Sequence, residues 1–329
     1  MLCFGLRGQS MRRICRRIVP WFTAAMVLSL LFGCQSQRAS SAETVTAGSA
    51  LSVQSRPLPA LVPAQKIEPG IVVHEVSLPR GQRTSKVWIY LPEKPAAGKL
   101  PVVLIAPAGS RMFHGMALGE GDRPEHLPYV RAGFAVVAYE IDGNVGDHPD
   151  EQEILAAARA FKSAEAGLAN ARAALNYALA KVPNLDPTRI YTAGHSSAAT
   201  TSLLVAENEP RVQACIAYAP VCNVVKFLGD RVINMFDQRI PGFGDFINRT
   251  SPDTHIQKLR CPVFLFHADD DSVVSTEEVA TFAEELKKTN PNVTFVQVPT
   301  GDHYESMIQQ GIPKAIAWLK SLPAKSAAR

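Results

Sequence analysis

Six short runs of apolar, largely β-branched residues punctuate the chain: 101–106 (PVVLIA), 134–140 (FAVVAYE), 189–193 (RIYTA), 214–219 (ACIAYA), 261–267 (CPVFLFH) and 293–298 (VTFVQV). A run that is apolar at nearly every residue, not at every second one, belongs to a strand buried on both faces, the condition met in a parallel sheet covered by helices. Between these runs the apolar residues recur every three or four positions, most clearly at Leu168, Ala171, Leu175, Ala178, Leu179 and Val182 and again at Val279, Phe282 and Leu286. Parallel neighbours need long crossovers, and helices supply them, so the alternation predicts a doubly wound α/β sheet with helices on both faces. Two earlier runs, 71–78 (IVVHEVSL) and 86–91 (KVWIYL), flank Pro79-Arg80-Gly81-Gln82 and predict antiparallel opening strands. With 47% hydrophobic residues in 329, the chain can bury one large core.

The N-terminus has a different organisation. Arg12, Arg13, Arg16 and Arg17 precede a mostly apolar run from Ile18 to Gly33, which is the charged-then-apolar order of an export signal and, at 16 residues, is short for a membrane span. It ends in Leu31-Phe32-Gly33-Cys34 followed by Gln35-Ser36-Gln37, which resembles the lipobox of a bacterial lipoprotein signal. That resemblance implies lipid on the Cys34 sulfur, cleavage after Gly33, and a mature protein held at the cell envelope, facing the periplasm, with the membrane as its partner through that anchor. Residues 35–66, rich in Ser, Ala, Gln and Pro with no aromatic residue, read as part of a flexible tether. The expected organisation is a signal at 1–33, a tether at 34–66 and a catalytic domain at 67–325.

Charge and cysteine content narrow the possible partners. Five of the 34 basic residues lie within residues 1–33, which hold no acid, so 29 face the 30 acidic residues from Cys34 onward. A near-neutral body lacks the basic face needed to displace counterions from phosphates, and nucleic acid is not expected as a partner. Cys215 and Cys261 sit in apolar, strand-like runs and read as buried thiols; a Cys215–Cys222 bridge across the turn at Pro220 is the alternative for that pair. No CxxC pair or His cluster points to zinc, and neither a metal nor an organic cofactor is called for.

The chemistry starts where a strand runs into a helix. Asp186-Pro187-Thr188-Arg189-Ile190-Tyr191-Thr192-Ala193 leads into Gly194-His195-Ser196-Ser197-Ala198-Ala199. This Gly-x-Ser-x-Ala resembles the nucleophile elbow of the α/β-hydrolases, a tight turn that presents a serine in a strained backbone conformation at a helix N-terminus. Small residues at 194 and 198 suit such a turn, because larger ones would collide with the adjoining strand or helix. In that fold an orienting acid and a histidine follow the serine in chain order, each just past a strand. His267-Ala268-Asp269-Asp270-Asp271-Ser272-Val273-Val274 follows one strand run and Gly301-Asp302-His303-Tyr304 follows the next.

Ser251-Pro252-Asp253-Thr254-His255-Ile256-Gln257-Lys258-Leu259-Arg260-Cys261-Pro262-Val263, leading into the Asp loop, narrows the resemblance to the prolyl oligopeptidase and dienelactone hydrolase branch, over roughly residues 70–322. The resemblance implies Ser196 as nucleophile, His303 as base and Asp271 as the orienting acid, with Asp269 and Asp270 as fallbacks. It also implies an oxyanion hole made of the backbone N–H of Ser197 and a second N–H from the loop after strand 101–106. There the branch carries His-Gly, and this chain has Pro107-Ala108-Gly109-Ser110. Pro107 has no N–H, and position assigns the donor to Gly109, with Ala108 and Ser110 beside it. His114 reads as a loop or rim residue.

The expected reaction is acyl transfer by a serine hydrolase on a small or short acyl substrate. Ester cleavage is favoured over peptide cleavage, because only the tether and two strands precede the domain and no acidic pair stands ready for a peptide amino terminus. The alternatives are a peptidase of the prolyl oligopeptidase type and an inactive, lipid-anchored binding protein on the same scaffold. The segment 223–250, with Phe227, Leu228, Met235, Phe236, Phe243 and Phe246, reads either as a lid lining the acyl pocket or as core packing.

Overall fold

The computed structural model describes residues 57–80 and 83–323, and a compact unit runs from Leu58 onward. Residues 1–33 and Cys34 lie outside the described residues.

The architecture is the expected doubly wound sheet. Nine strands run in the order β1-β2-β3-β5-β4-β6-β7-β8-β9. In chain order they are β1 (Gln65–Glu68), β2 (Ile71–Arg80), β3 (Arg83–Pro92), β4 (Leu100–Ile105), β5 (Ala135–Tyr139), β6 (Leu185–His195), β7 (Val212–Tyr218), β8 (Val263–Ala268) and β9 (Val293–Val298). The pairs β1/β2, β2/β3 and β3/β5 are antiparallel; every pair from β5 to β9 is parallel. Helices α1 (Arg123–Arg131), α2 (Glu151–Ser163), α3 (Leu168–Lys181), α4 (Ser197–Asn208), α5 (Val224–Asp237), α6 (Phe243–Arg249), α7 (Thr276–Lys287) and α8 (Ile312–Ser321) connect them.

The continuous apolar runs are explained by the two covered faces. Along β4, Val102 and Leu104 pack on one side and Val103 and Ile105 on the other, all of them buried. Along β5, Ala135, Val137 and Tyr139 alternate in the same way with Val136 and Ala138. One face is closed by α3 through Ala171, Leu175 and Ala178, and the opposite face by α1 and α8 through Leu127, Val130, Ile312 and Leu319.

Helix starts follow local polar chemistry. The Asp150 carboxylate accepts from the Glu153 N–H at 2.8 Å while Glu153 accepts from the Asp150 N–H at 2.9 Å, a reciprocal cap that opens α2. Asn223 and Ser275 cap α5 and α7 in the simpler way, accepting from the N–H groups of Lys226 and Glu278.

One expectation differs from the structure, and one alternative is decided by it. Residues 58–66, which sequence places in the tether, belong to the compact unit: Gln65 and Lys66 pair with Val73 and Val72, and the Ala60 carbonyl accepts from Tyr177. Their order comes from backbone pairing with β2, which a four-residue strand lacking apolar alternation does not announce. The Cys215–Cys222 bridge is absent, and both residues stay buried thiols in an apolar cluster with Leu203, Leu265 and Phe282. In 223–250, Phe236 stacks on Phe243 at 4.8 Å and Phe243 meets Phe246 at 5.6 Å inside the core, while Phe227 and Met235 are exposed. With Leu228 packed against the same cluster, core packing accounts for four of its six large apolar side chains.

Candidate active site

The chain leaves β4 toward β5 on one side and returns to β6 on the other, so a crevice opens at the carboxyl ends of β4 and β6. Ser196 stands at that end of β6, as the residue preceding α4. Its backbone has φ 54° and ψ −122°, a region that costs roughly 1–3 kcal/mol for a residue with a side chain. Two features hold it there. Its N–H donates to the Tyr218 carbonyl at 2.8 Å, and the turn brings Gly194 so close to α4 that a Cβ on Gly194 would stand 2.3 Å from the Ala198 carbonyl oxygen. The small residues at 194 and 198 are thus a steric requirement of this turn.

The acid and the histidine leave the ends of β8 and β9. Asp271 Oδ2 accepts from His303 Nδ1 at 2.8 Å, and Asp271 Oδ1 accepts from the N–H groups of Val273 and Val274 at 2.8 and 2.9 Å. Burial works against charge on Asp271, but the hydrogen bond and charge of His303, with the two N–H groups, hold its carboxyl below the usual range. The neighbouring aspartates have other partners. Asp269 accepts from the Gln297 amide at 2.7 Å, and Asp270 accepts from the N–H groups of Gly301 and Asp302, tying its loop to the one that carries His303. The Ser196 side chain makes no cap bond to α4.

Three histidines support this site in ways their sequence positions did not reveal. His195 is buried, its Nε2–H donates to the His303 carbonyl at 2.9 Å, and the two rings lie 4.5 Å apart. Burial, followed by the His303 charge, depresses its pKa to about 3, so it remains neutral. Its Nδ1 faces Glu125 Oε1 at 3.9 Å, and burial raises Glu125 to about 8. His267, wholly buried at the end of β8, must carry its proton on Nδ1, since that atom meets the Ala268 carbonyl at 2.8 Å and a carbonyl can only accept. Its bare Nε2 then stands 3.5 Å from Asp271 Oδ2. His114, read from sequence as a rim residue, is buried: its Nδ1–H donates to the Gly115 carbonyl at 2.7 Å and its Nε2 accepts from the Arg111 N–H at 3.3 Å, which fixes the loop after β4.

The oxyanion side departs from the expected geometry. The N–H groups of Gly109 and Ser110 each donate to Ser197 Oγ at 3.0 Å, so the Gly109 N–H assigned by position to the oxyanion is engaged by a side chain. Gly109 takes φ 106°, which glycine adopts without strain. The N–H of Ser197 heads α4 and has no intrahelical acceptor. Among the described residues, no three His, Cys, Asp or Glu side chains gather to hold a metal ion.

Comparison with known proteins gives a family and a fold. A model described as the prolyl oligopeptidase family matches residues 126–322. No curated protein matches the sequence. Among solved structures, an acetyl xylan esterase from Paenibacillus aligns with a TM-score of 0.57 and 16% identity, covering 80% of this chain and 89% of that one. An S-formylglutathione hydrolase from Agrobacterium tumefaciens aligns at 0.59 and 15%, covering 79% and 98%. An acylaminoacyl peptidase from Pyrococcus horikoshii aligns at 0.58 and 16%, covering 76% of this chain but 40% of that one. The fold is that of the α/β-hydrolases.

Proposed function

Since this chain belongs to the prolyl oligopeptidase family and is a serine hydrolase, we propose that it cleaves carboxylic esters through an acyl-enzyme on Ser196, with His303 as base and Asp271 as the orienting acid. The observation that carries this reading is the strained Ser196 turn after β6 joined to the His303 loop after β9 by the His195 bond to the His303 carbonyl at 2.9 Å, with His303 Nδ1 held by Asp271, from the loop after β8, at 2.8 Å.

In the first half-reaction Ser196 Oγ attacks the ester carbonyl carbon while His303 Nε2 takes the hydroxyl proton. Asp271 stays ionised, fixes the Nδ1–H tautomer and stabilises the imidazolium. The tetrahedral intermediate collapses as His303 returns the proton to the leaving alcohol. Water then attacks the acyl-enzyme with His303 again as base, releasing the acid and regenerating Ser196.

Ester cleavage is the reading taken up here, in keeping with the acetyl xylan esterase and the S-formylglutathione hydrolase whose folds align with this chain. A p-nitrophenyl ester series against peptidyl p-nitroanilides tests the preference. Specificity constants for short acyl esters are expected well above those for the anilides, and the reverse order would assign a peptidase.

The export reading rests on the lipobox-like Leu31-Phe32-Gly33-Cys34. We expect Cys34→Ser to abolish metabolic palmitate labelling and to release the protein from the membrane fraction; a variant that stays membrane-bound, beside an unlabelled natural protein, would refute the anchor.

A further inference from the structure

The hydroxyl of Ser197 sits where the loop after β4 directs its donors. It accepts two backbone N–H groups, from Gly109 and from Ser110, each at 3.0 Å. A hydroxyl has two acceptor lone pairs and one proton. Both lone pairs are engaged and neither bond uses the proton, which has no acceptor among the described residues. Ser197 is buried, so bulk water does not readily take that role. Its own N–H, at the head of α4 beside Ser196, is likewise unspent within the helix.

A hydroxyl that accepts two N–H bonds is polarised toward donation, since hydrogen bonds in a chain strengthen one another. The Gly109 and Ser110 N–H groups of the loop are engaged by Ser197 itself. Pro107 has no N–H, and the Ser110 hydroxyl is turned away, donating to the His114 carbonyl and accepting from the Met112 N–H.

We propose that Ser197 supplies the oxyanion hole with both donors, its backbone N–H and its side-chain O–H, and that Gly109 and Ser110 act through this hydroxyl rather than on the oxyanion itself. Ser197 would then be a catalytic residue and Gly109 and Ser110 positioning residues. The proposal rests on the reading of Ser196 as nucleophile. No proton leaves Ser197: its O–H bond shortens its contact to the developing oxyanion and relaxes when the intermediate collapses.

The competing geometry has the Ser197 side chain rotate away and free the Gly109 N–H for the oxyanion. The two make opposite predictions for Ser197→Ala. If the hydroxyl is a donor, kcat for p-nitrophenyl acetate falls on the order of 10²- to 10³-fold with KM little changed. If it is a plug, the variant is as active as the natural protein or more so, and the proposal is overturned. A thionoester of the same acyl group separates catalysis from loop fastening, because sulfur is a poor hydrogen-bond acceptor and gains little from an oxyanion donor. A direct donor predicts a loss on the oxoester much larger than on the thionoester. Equal losses on both would show that Ser197 only fastens the loop, and would also overturn the proposal. Fluorophosphonate labelling keeps this result apart from the nucleophile assignment: Ser197→Ala should still label at Ser196, whereas label retained in Ser196→Ala would remove the premise itself.

Discussion

Ser196→Ala is expected to lower turnover of a short p-nitrophenyl ester on the order of 10⁶-fold, the loss seen when the nucleophile of a well-studied serine protease is removed. Stability should be nearly unchanged, and the reason is specific to this turn. Alanine keeps the Cβ, so the strain at φ 54° is carried equally by both proteins. The lost hydroxyl caps no helix, so its removal leaves no buried partner unsatisfied. Thermal unfolding and a fluorophosphonate label check the two halves together. Turnover within tenfold of the natural protein, in a folded variant, would sink the nucleophile assignment, whereas a natural protein that neither turns over nor labels would favour the inactive binding scaffold.

Asp271→Asn should cost about 10⁴-fold in turnover, comparable to the same change in another well-studied serine protease. Here the structure supplies the mechanism. Asp271 Oδ1 receives the N–H groups of Val273 and Val274, so an asparagine must place its carbonyl oxygen there and its amide nitrogen at the Oδ2 position. That NH₂ group would face His303 Nδ1, now 2.8 Å away, and the bare Nε2 of His267, 3.5 Å away. Both ring nitrogens can accept. The amide is therefore locked into donating to His303, which forces the imidazole proton onto Nε2, the atom that must take the Ser196 proton. The fold should be slightly less stable at neutral pH, since His303 and the two N–H groups favour the ionised carboxylate in the folded protein and the amide gives that up. Asn at 269 should cost little, and Asn at 270 should cost far less than Asn at 271 because one acceptor oxygen survives for the loop N–H groups. If Asp270→Asn is the crippling change while Asp271→Asn stays active, the acid is Asp270.

Much of the molecule is legible in the sequence because its causes are local. Strands buried on both faces have to be continuously apolar, so β4 to β9 could be read from composition within short windows, and α3 and α7 from a three-to-four period. The turn around Ser196 has steric demands that fall on Gly194 and Ala198, a few positions away in the same chain. The order of serine, acid and histidine follows from the order in which the strands were laid down. The register of the valines, carried over from the family resemblance, singles out Asp271 among the three aspartates, and the N–H groups of Val273 and Val274 here donate to its carboxylate.

What sequence could not decide is how groups far apart in the chain share their hydrogen bonds. Gly109 and Ser197 are 88 positions apart, and nothing near either one reveals that the glycine N–H is spent on the serine hydroxyl. His195 reaches the His303 carbonyl across 108 positions, and its role depends on the β6 and β9 ends lying on the same edge of the sheet. His114 and His267 took their tautomers from carbonyls that only the folded backbone brings against them. The short strand at Gln65–Glu68 exists because β2 offers an open edge, not because its own residues favour extension. Periodicity and turn sterics are properties of a segment and are written in it; donor and acceptor pairing is a property of the packed molecule, settled only when strands from distant parts of the chain fix which loop faces which.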